Sequence, residues 1–326
     1  MARVFRLIAR IFTGLPAPVL YTFAGFGACY ALPALSDPFV QYYRLNYASP
    51  LNLPNRYGPK TWAVISGGTD GIGESFAHAF AEQGFNLVII ARNPAKLATV
   101  AQDIQQKHGV EVKTVQFDLG TALERRQELV QALEPLKALD VSVLVNNAGV
   151  MKVGEFQTED FDYLAQVINV NCAAHTLISR VFLPRMLGRQ EKSGIINVAS
   201  LLGKYPLGYA SVYSASKAYH RALSLSLQEE VRGKVDVLSL CPGKVNTKLV
   251  GRPGERFDTV SPQEVVRCTL RQLGHTTETS GAFPHYLIAF GGEYVNGDWA
   301  RYLTTLVYRR FFVKHRMIDQ ERSLGK

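Results

Sequence analysis

Cysteine is scarce in this 326-residue chain. Cys29, Cys172, Cys241 and Cys268 stand far apart, with no Cys-x-x-Cys pair and no histidine at metal-ligand spacing. That scatter excludes a disulfide-built fold and a zinc-finger type of centre, and it makes reduced thiols and no bound metal the expectation. The chain also lacks any Asn-x-Ser/Thr acceptor, which is compatible with a main domain exposed to the cytosol. No internal repeat or low-complexity tract occurs, so solenoids and arrays are excluded. Charge is sparse as well, at 19% of residues against 47% hydrophobic, which is more apolar than a usual soluble protein and suggests contact with lipid or a partner. The net charge of +9 is absent from the middle of the chain. Residues 1–60 carry six basic groups against Asp37, residues 301–326 carry seven against Asp319 and Glu321, and residues 61–300 are close to neutral. A nucleic-acid binder needs a basic stripe on its folded domain, so nucleic acid is not an expected partner. Basic ends beside apolar segments fit an anionic membrane surface.

At the N-terminus Arg3, Arg6 and Arg10 precede an uncharged run from Ile11 to Ser36. That run is long enough to cross a bilayer, for which about 20 residues suffice. It exceeds the apolar core of a cleaved signal, and aromatic residues continue to Tyr47, so an uncleaved anchor is expected. Pro16, Pro18 and Pro33, with Gly25 and Gly27, leave a bent or re-entrant path open beside a straight span. The flanking charges are too balanced to set its orientation. Residues 1–45 therefore read as a membrane anchor and residues 46–59, rich in Pro, Asn and Gly, as a linker. Residues 60–280 read as the main domain and residues 281–326 as a basic membrane-associated extension. In that extension Glu293 and Asp298 interrupt the aromatic stretch from Phe283 to Phe312, which suits interfacial helices better than a second span.

From Trp62 a regular alternation sets in. Short apolar strands are expected at Trp62–Ser66, Asn86–Ala91, Val110–Phe117, Val141–Asn146, Gly194–Ser200 and Val235–Leu240. Helices are expected at Ile72–Gln83, Pro94–His108, Leu123–Leu139, Asp160–Leu187 and Ser211–Val231. Continuous apolar strands alternating with helices predict an α/β fold with a doubly wound parallel sheet of the Rossmann type.

Ser66-Gly67-Gly68-Thr69-Asp70-Gly71-Ile72-Gly73 follows the first strand and opens the first helix. In that position Gly67 permits the tight turn, Gly71 lets backbone approach a pyrophosphate, and Gly73 lets helix and sheet pack closely, with the helix N-terminus facing the anion. A dinucleotide is implied. After the second strand, Ala91-Arg92-Asn93 offers a guanidinium for a 2′-phosphate instead of a carboxylate for ribose hydroxyls, which favours NADPH/NADP+. Asp118 has two readings, acceptor for the adenine amino group or cap of the following helix. Asn146-Asn147-Ala148-Gly149 ends the fourth strand, at the edge where such sheets hold ligands. Tyr213 and Lys217 lie one helical turn apart, so an ammonium on the same face is expected to lower the phenol's pKa and make it a proton donor. Ser200 precedes them at a strand end. Tyr209 has Tyr213, not lysine, four residues on and cannot serve the same chemistry. His175 and His220 have no paired ligands and read as packing or surface residues.

The glycine turn, Asn-Asn-Ala-Gly, Asn171, Ser200 and Tyr213-x-x-x-Lys217 together resemble the short-chain dehydrogenase/reductases over roughly residues 60–245. The resemblance implies that Tyr213 protonates a carbonyl oxygen while hydride arrives from the nicotinamide. It implies that Lys217 acidifies the phenol and holds the nicotinamide ribose, that Ser200 bonds the same oxygen, and that Asn171 supports a water path through Lys217. It further implies cofactor contacts from Gly67, Thr69, Asp70, Gly71, Ile72, Gly73, Arg92, Asp118, Asn147, Ala148 and Gly149. Tyr213 and Lys217 would join them, as would Pro242, Gly243, Val245 and Thr247 after the sixth strand. Ser66 stands where the family usually has threonine, which keeps the hydroxyl.

Within that family the apolar N-terminus, the Thr-Asp-Gly-Ile-Gly turn, Val245-Asn246-Thr247-Lys248-Leu249 and the basic tail are similar to the membrane-anchored subset of 3-oxoacyl-CoA reductases and 17β-hydroxysteroid dehydrogenases. Leu201, Leu202, Tyr205, Pro206 and Leu207 suggest an apolar entrance for an acyl-CoA or steroid-like lipid. The similarity implies fatty acid elongation at the endoplasmic reticulum membrane, a domain facing the cytosol, other elongation enzymes as partners and a homodimer. The tail Ser323-Leu324-Gly325-Lys326 lacks the paired lysines of a retrieval signal. Steroid or other lipid-alcohol oxidation is the alternative within the fold. A non-catalytic NADPH-binding scaffold is the alternative from another class, and the intact quartet argues against it.

Overall fold

The computed structural model describes residues 36–251, 254, 256–294 and 305–306. The chain divides into two compact units, residues 1–44 and 45–326. In the first, the described residues 36–44 are helical. The expected anchor therefore lies almost wholly outside the described residues, and among these no helix is long and apolar enough to cross a membrane.

The second unit is built on a seven-stranded parallel sheet. Its strands are β1 (Trp62–Ser66), β2 (Asn86–Ala91), β3 (Val112–Gln116), β4 (Val141–Asn146), β5 (Ser193–Val198) and β6 (Val235–Leu240). Two short strands, β7 (Lys244–Val245) and β8 (Thr259–Val260), pair separately, and β9 (Glu278–Thr279) adds to the main sheet. The order β3-β2-β1-β4-β5-β6-β9 reverses direction between β1 and β4, which opens a crevice at the carboxyl ends of those two strands. The expected doubly wound sheet is present.

Strand side chains alternate between two cores. Ala63 and Ile65 of β1 join Phe76, Phe80, Leu87 and Ile89 on one face, and Trp62 and Val64 join Val88, Leu144, Ile178 and Phe182 on the other. Each such large side chain, once buried, contributes about 1.5–3 kcal/mol. The first face is covered by α1 (Leu53–Tyr57), α2 (Gly71–Glu82), α3 (Pro94–His108) and later α9 (Pro262–Gln272). The second is covered by α4 (Arg126–Leu133) and by α6 (His175–Leu187), to which α5 (Phe161–Ile168) is joined through a π-helical turn at Asn169–Ala174 whose Val170 and Ala174 enter the same core. A short α7 (Leu201–Lys204), the 20-residue α8 (Ser211–Glu230) and α10 (Phe283–Tyr294) complete the described elements that bear on the site.

Three departures from the sequence reading matter. The segment expected to be a linker contains α1, whose Leu53 and Tyr57 are buried and whose Arg56 and Tyr57 bond Asp236 of β6 at 2.6 and 2.9 Å. The helix expected without a break over Asp160–Leu187 is divided by the π turn. In the C-terminal extension, α10 packs on the main domain: His285 is buried and its Nε2 bonds the carbonyl oxygen of Lys244 at 2.9 Å. Beyond Tyr294, the extension lies outside the described residues apart from residues 305–306.

Candidate active site

The glycine turn is built as its sequence requires. Gly67 and Gly71 have φ of +67° and +60°, the left-handed region that other residues avoid. At Gly73 an added Cβ would lie 2.2 Å from the Gly67 carbonyl oxygen and 2.4 Å from Asn147 Nδ2, so only glycine lets helix and turn approach this closely. Asp70 precedes α2 without a side-chain bond to the helix amides. Its carboxylate pairs instead with Lys248 at 3.0 Å and Lys96 at 3.7 Å, leaving the N-terminal amides and their partial positive charge to an anion. Thr247 crosses beside Gly71, whose added Cβ would come within 2.9 Å of Thr247 Cγ2. Thr69 and Ile72 are half-buried in the turn, and Asn147, Ala148 and Gly149 leave β4 directly across the crevice.

At the far end of the turn lies a cavity of about 610 Å³ lined by Arg92, Asn93, Pro94, Gln116, Phe117, Asp118 and Arg125. Of the two readings of Asp118 the cap is observed, its Oδ1 accepting from the Gly120 amide at 2.9 Å; the residue also borders the cavity. Arg125 escaped the sequence reading. Its guanidinium sits 5.1 Å from the Phe117 ring centroid and is held by Glu128, so the cavity has two cations, Arg92 and Arg125. A glycine turn with two left-handed residues, uncapped helix amides and a polar cavity with two cations fit a dinucleotide. Arg92, Arg125 and Asp118 would hold its adenosine end and the α2 amides its pyrophosphate.

The other end of the crevice brings the four expected side chains together. Helix α8 turns Tyr213, Lys217, His220 and Ser224 inward along one face, and all four are buried. Lys217 Nζ lies 5.7 Å from the Tyr213 ring centroid and donates to the Val198 carbonyl oxygen at 2.7 Å. Asn171 is fully buried within the π turn; its Oδ1 accepts from the Val150 amide at 2.9 Å, and its Nδ2 donates to the Val150 carbonyl at 3.1 Å and to Ser216 Oγ at 3.0 Å. A Cβ placed on Gly149 would be 3.4 Å from Lys217 Nζ and 3.7 Å from Asn171 Oδ1, so Gly149 keeps the approach to both open. Ser200 caps α7 by accepting from the Leu202 amide at 3.1 Å, which leaves its O–H free to donate. Pro242, Gly243 and Val245 follow β6 at the same rim, with Pro242 receiving the Leu201 amide at 2.9 Å.

The electrostatics correct one expectation. Burial drives the Tyr213 pKa up to about 12, with the Ser200 hydroxyl pulling it partly back down. Lys217 does not acidify the phenol here, because desolvating a phenolate outweighs the opposing Ser200 hydrogen bond. Tyr213 is consequently a protonated donor at neutral pH. Burial lowers Lys217 from 10.5 to about 8, with the Cys172 and Cys241 thiols opposing that fall.

Beneath the site runs a row of buried polar residues that single-residue reading missed. Ser66, Asn146, Asn197 and Ser239 are register partners across β1, β4, β5 and β6. Asn146 Nδ2 bonds Asn197 Oδ1 at 2.7 Å and Ser179 Oγ at 2.8 Å, and Asn197 Nδ2 bonds Ser224 Oγ at 2.9 Å. His175 and His220, read as packing or surface residues, are both buried and bond each other, Nδ1 to Nε2, at 2.6 Å. Polar residues on consecutive strand ends were the available signal for the row. The histidine pair had none, since its members are 45 residues apart.

A parallel doubly wound sheet with a nucleotide turn at one end of its crevice and a buried Ser-Tyr-Lys group at the other defines an oxidoreductase. The sequence of residues 61–256 matches the short chain dehydrogenase family. The chain is 35% identical over 235 residues to the very-long-chain 3-oxoacyl-CoA reductase-B of Danio rerio, covering 70% of this chain and 74% of that one. Among solved structures, a 7beta-hydroxysteroid dehydrogenase superposes with a TM-score of 0.68 at 25% identity, covering 77% of this chain and 99% of its own. A short-chain dehydrogenase from Sphingobium yanoikuyae in complex with NADPH gives 0.59 at 28% identity, covering 65% and 84%. This chain belongs to the short-chain dehydrogenase/reductase family.

Proposed function

We propose that the protein reduces a lipid-linked ketone with NADPH, converting a 3-oxoacyl-CoA to a 3-hydroxyacyl-CoA in very-long-chain fatty acid elongation. The observation that carries the reading is the buried, protonated Tyr213 beside Lys217 and Ser200 at the mouth of a dinucleotide crevice. The names of the curated relatives support the substrate class, and the cationic cavity of Arg92 and Arg125 supports NADPH over NADH.

Reduced nicotinamide, when bound, supplies hydride to the carbonyl carbon. Tyr213 Oη gives its proton to the carbonyl oxygen, so one hydride and one proton convert ketone to alcohol. Ser200 donates a hydrogen bond to the same oxygen and fixes the direction of the carbonyl before charge develops on it. Lys217, anchored by Val198, offers its remaining N–H groups to the nicotinamide ribose and the phenol. Asn171 holds the loop at Val150 beside that ammonium and keeps the proton supply path through Lys217 in register. The setting we infer is the endoplasmic reticulum membrane, with the main domain facing the cytosol and the basic chain ends drawn to anionic headgroups or CoA phosphates.

Hydroxysteroid oxidation or reduction is the second reading, supported by the likeness to a 7beta-hydroxysteroid dehydrogenase. Purified full-length protein with NADPH is to be assayed against a long-chain 3-oxoacyl-CoA and a panel of keto-steroids. Preferential turnover of the acyl-CoA is the expected result. Turnover of steroids alone would transfer the assignment to the second reading, and failure with both would refute the lipid-ketone class.

A further inference from the structure

Hydrogen-bond direction can be worked out through the buried histidines from one fixed end. The Val198 carbonyl oxygen can only accept. It takes Lys217 Nζ at 2.7 Å and stands 3.4 Å from His220 Nδ1, so that nitrogen carries the proton. A neutral His220 then has a bare Nε2, which must accept from His175 Nδ1 at 2.6 Å. His175 Nε2 is left bare in turn, and it faces Ser66 Oγ at 3.3 Å. Ser66 Oγ already receives two protons, from the Asn147 amide at 3.0 Å and the Ala148 amide at 3.2 Å. Its own hydrogen therefore points outward, and His175 Nε2 is an acceptor in reach beside the Val145 carbonyl at 3.4 Å.

Each imidazole proton has one consistent place, on Nδ1, and Ser66 Oγ completes the chain at His175 Nε2. The chain runs from the strand end that holds Asn147 and Ala148 to the carbonyl that holds Lys217. Burial pushes the pKa of both imidazoles down, His220 to about 3, so neither adds a positive charge beside the Lys217 ammonium. The chain cannot be a proton wire, because the Val198 carbonyl has no proton to pass on. What it can do is fix geometry: a carbonyl held by a second donor keeps the lysine in one place, and the same bonds hold the first residues after β4.

We propose that His175 and His220 are positioning residues, a neutral imidazole pair that locks the Lys217 anchor at Val198 to the Ser66 strand end and so sets lysine placement and the nucleotide side of the crevice together. This rests on the reading of Lys217 as part of an NADPH-dependent site. The test therefore begins without cofactor or substrate. In full-length protein labelled with ¹⁵N-histidine, both imidazoles should carry their proton on Nδ1 with Nε2 bare. A proton on Nε2 of either ring would overturn the proposal whatever the protein's substrate is.

The second measurement is NADPH affinity, read by nicotinamide fluorescence in the absence of substrate. His220→Phe removes the donor to Val198 and should weaken NADPH about fivefold to tenfold, the scale of one lost hydrogen bond. His220→Asn places an amide N–H near the former Nδ1 and should restore affinity to within about twofold, a rescue that simple cavity filling would not produce. His175→Phe should weaken NADPH less than His220→Phe, since it is one bond further from the lysine. Equal affinity in wild type and His220→Phe, or equal loss in the Phe and Asn variants, would reduce the pair to packing. Absence of NADPH binding by the wild type would refute the cofactor reading, and with it the role given to the pair, while the tautomers still report on the hydrogen-bond chain itself.

Discussion

Asn171 and the backbone of Val150 bond each other twice, amide to Oδ1 at 2.9 Å and Nδ2 to carbonyl at 3.1 Å, as two residues of a strand ladder would. The π turn makes this possible. One extra residue in the helical turn rotates Asn171 away from the repeat of α5 and α6 and aims it at the loop after β4. Asn171→Ala would leave two backbone groups of a partly buried loop without partners. We expect a loss of about 1–3 kcal/mol in stability, measured by urea unfolding, accompanied by a fall in turnover. A variant as stable and active as wild type would remove Asn171 from both roles.

Tyr213→Phe deletes the one proton the mechanism places on the ketone oxygen. The ring still fills its buried site, so the fold and the nucleotide crevice should survive. Turnover should fall by about a hundredfold or more, the usual contribution of a positioned acid, while NADPH affinity stays within about twofold. Retention of most of the rate would show that another group delivers the proton.

Much of the fold and of the site is legible in the sequence. Strands such as Val141–Asn146 announce themselves as short, continuous apolar runs, and Gly67, Gly71 and Gly73 are where backbone sterics allow nothing larger. What stayed hidden depends on tertiary contacts. The Tyr213-x-x-x-Lys217 spacing gives proximity, but the sign of the phenol's pKa shift is set by burial under elements far along the chain. The π turn does not disturb the local apolar pattern enough to be seen, and α1 is held by Asp236, 179 residues from Tyr57. His175 and His220 look inert one at a time because each derives its meaning from the other.

Arg92 is exposed at the rim of the cavity it shares with Arg125 and Asp118. Its charge costs nothing to keep there in water and becomes valuable when a phosphate dianion arrives. Arg92→Asp should weaken NADPH by about tenfold or more and NADH far less, as measured by direct titration of each nucleotide. Equal losses would mean that Arg92 does not meet the phosphate, and Arg125 would inherit the role.

Lys217 gives a prediction that needs neither cofactor nor substrate. Burial brings its pKa down from 10.5 to about 8 in the folded chain. Between those two values the unfolded chain holds a proton that the folded chain has released, so this residue makes stability rise with pH across the window. Below about pH 8 both states are protonated and the fold bears the full cost of a buried ammonium; above 10.5 both are neutral and the cost is gone. Lys217→Met keeps the aliphatic length and removes the charge. Its unfolding free energy minus that of wild type should be largest below pH 8 and should shrink steadily toward pH 10.5. The titrations of Cys172, Cys241 and Cys268, all raised by burial, occur in both proteins and largely cancel in the difference. Urea unfolding at several pH values in this range would measure it, and a difference independent of pH would mean that the amine is solvated, not buried against Val198.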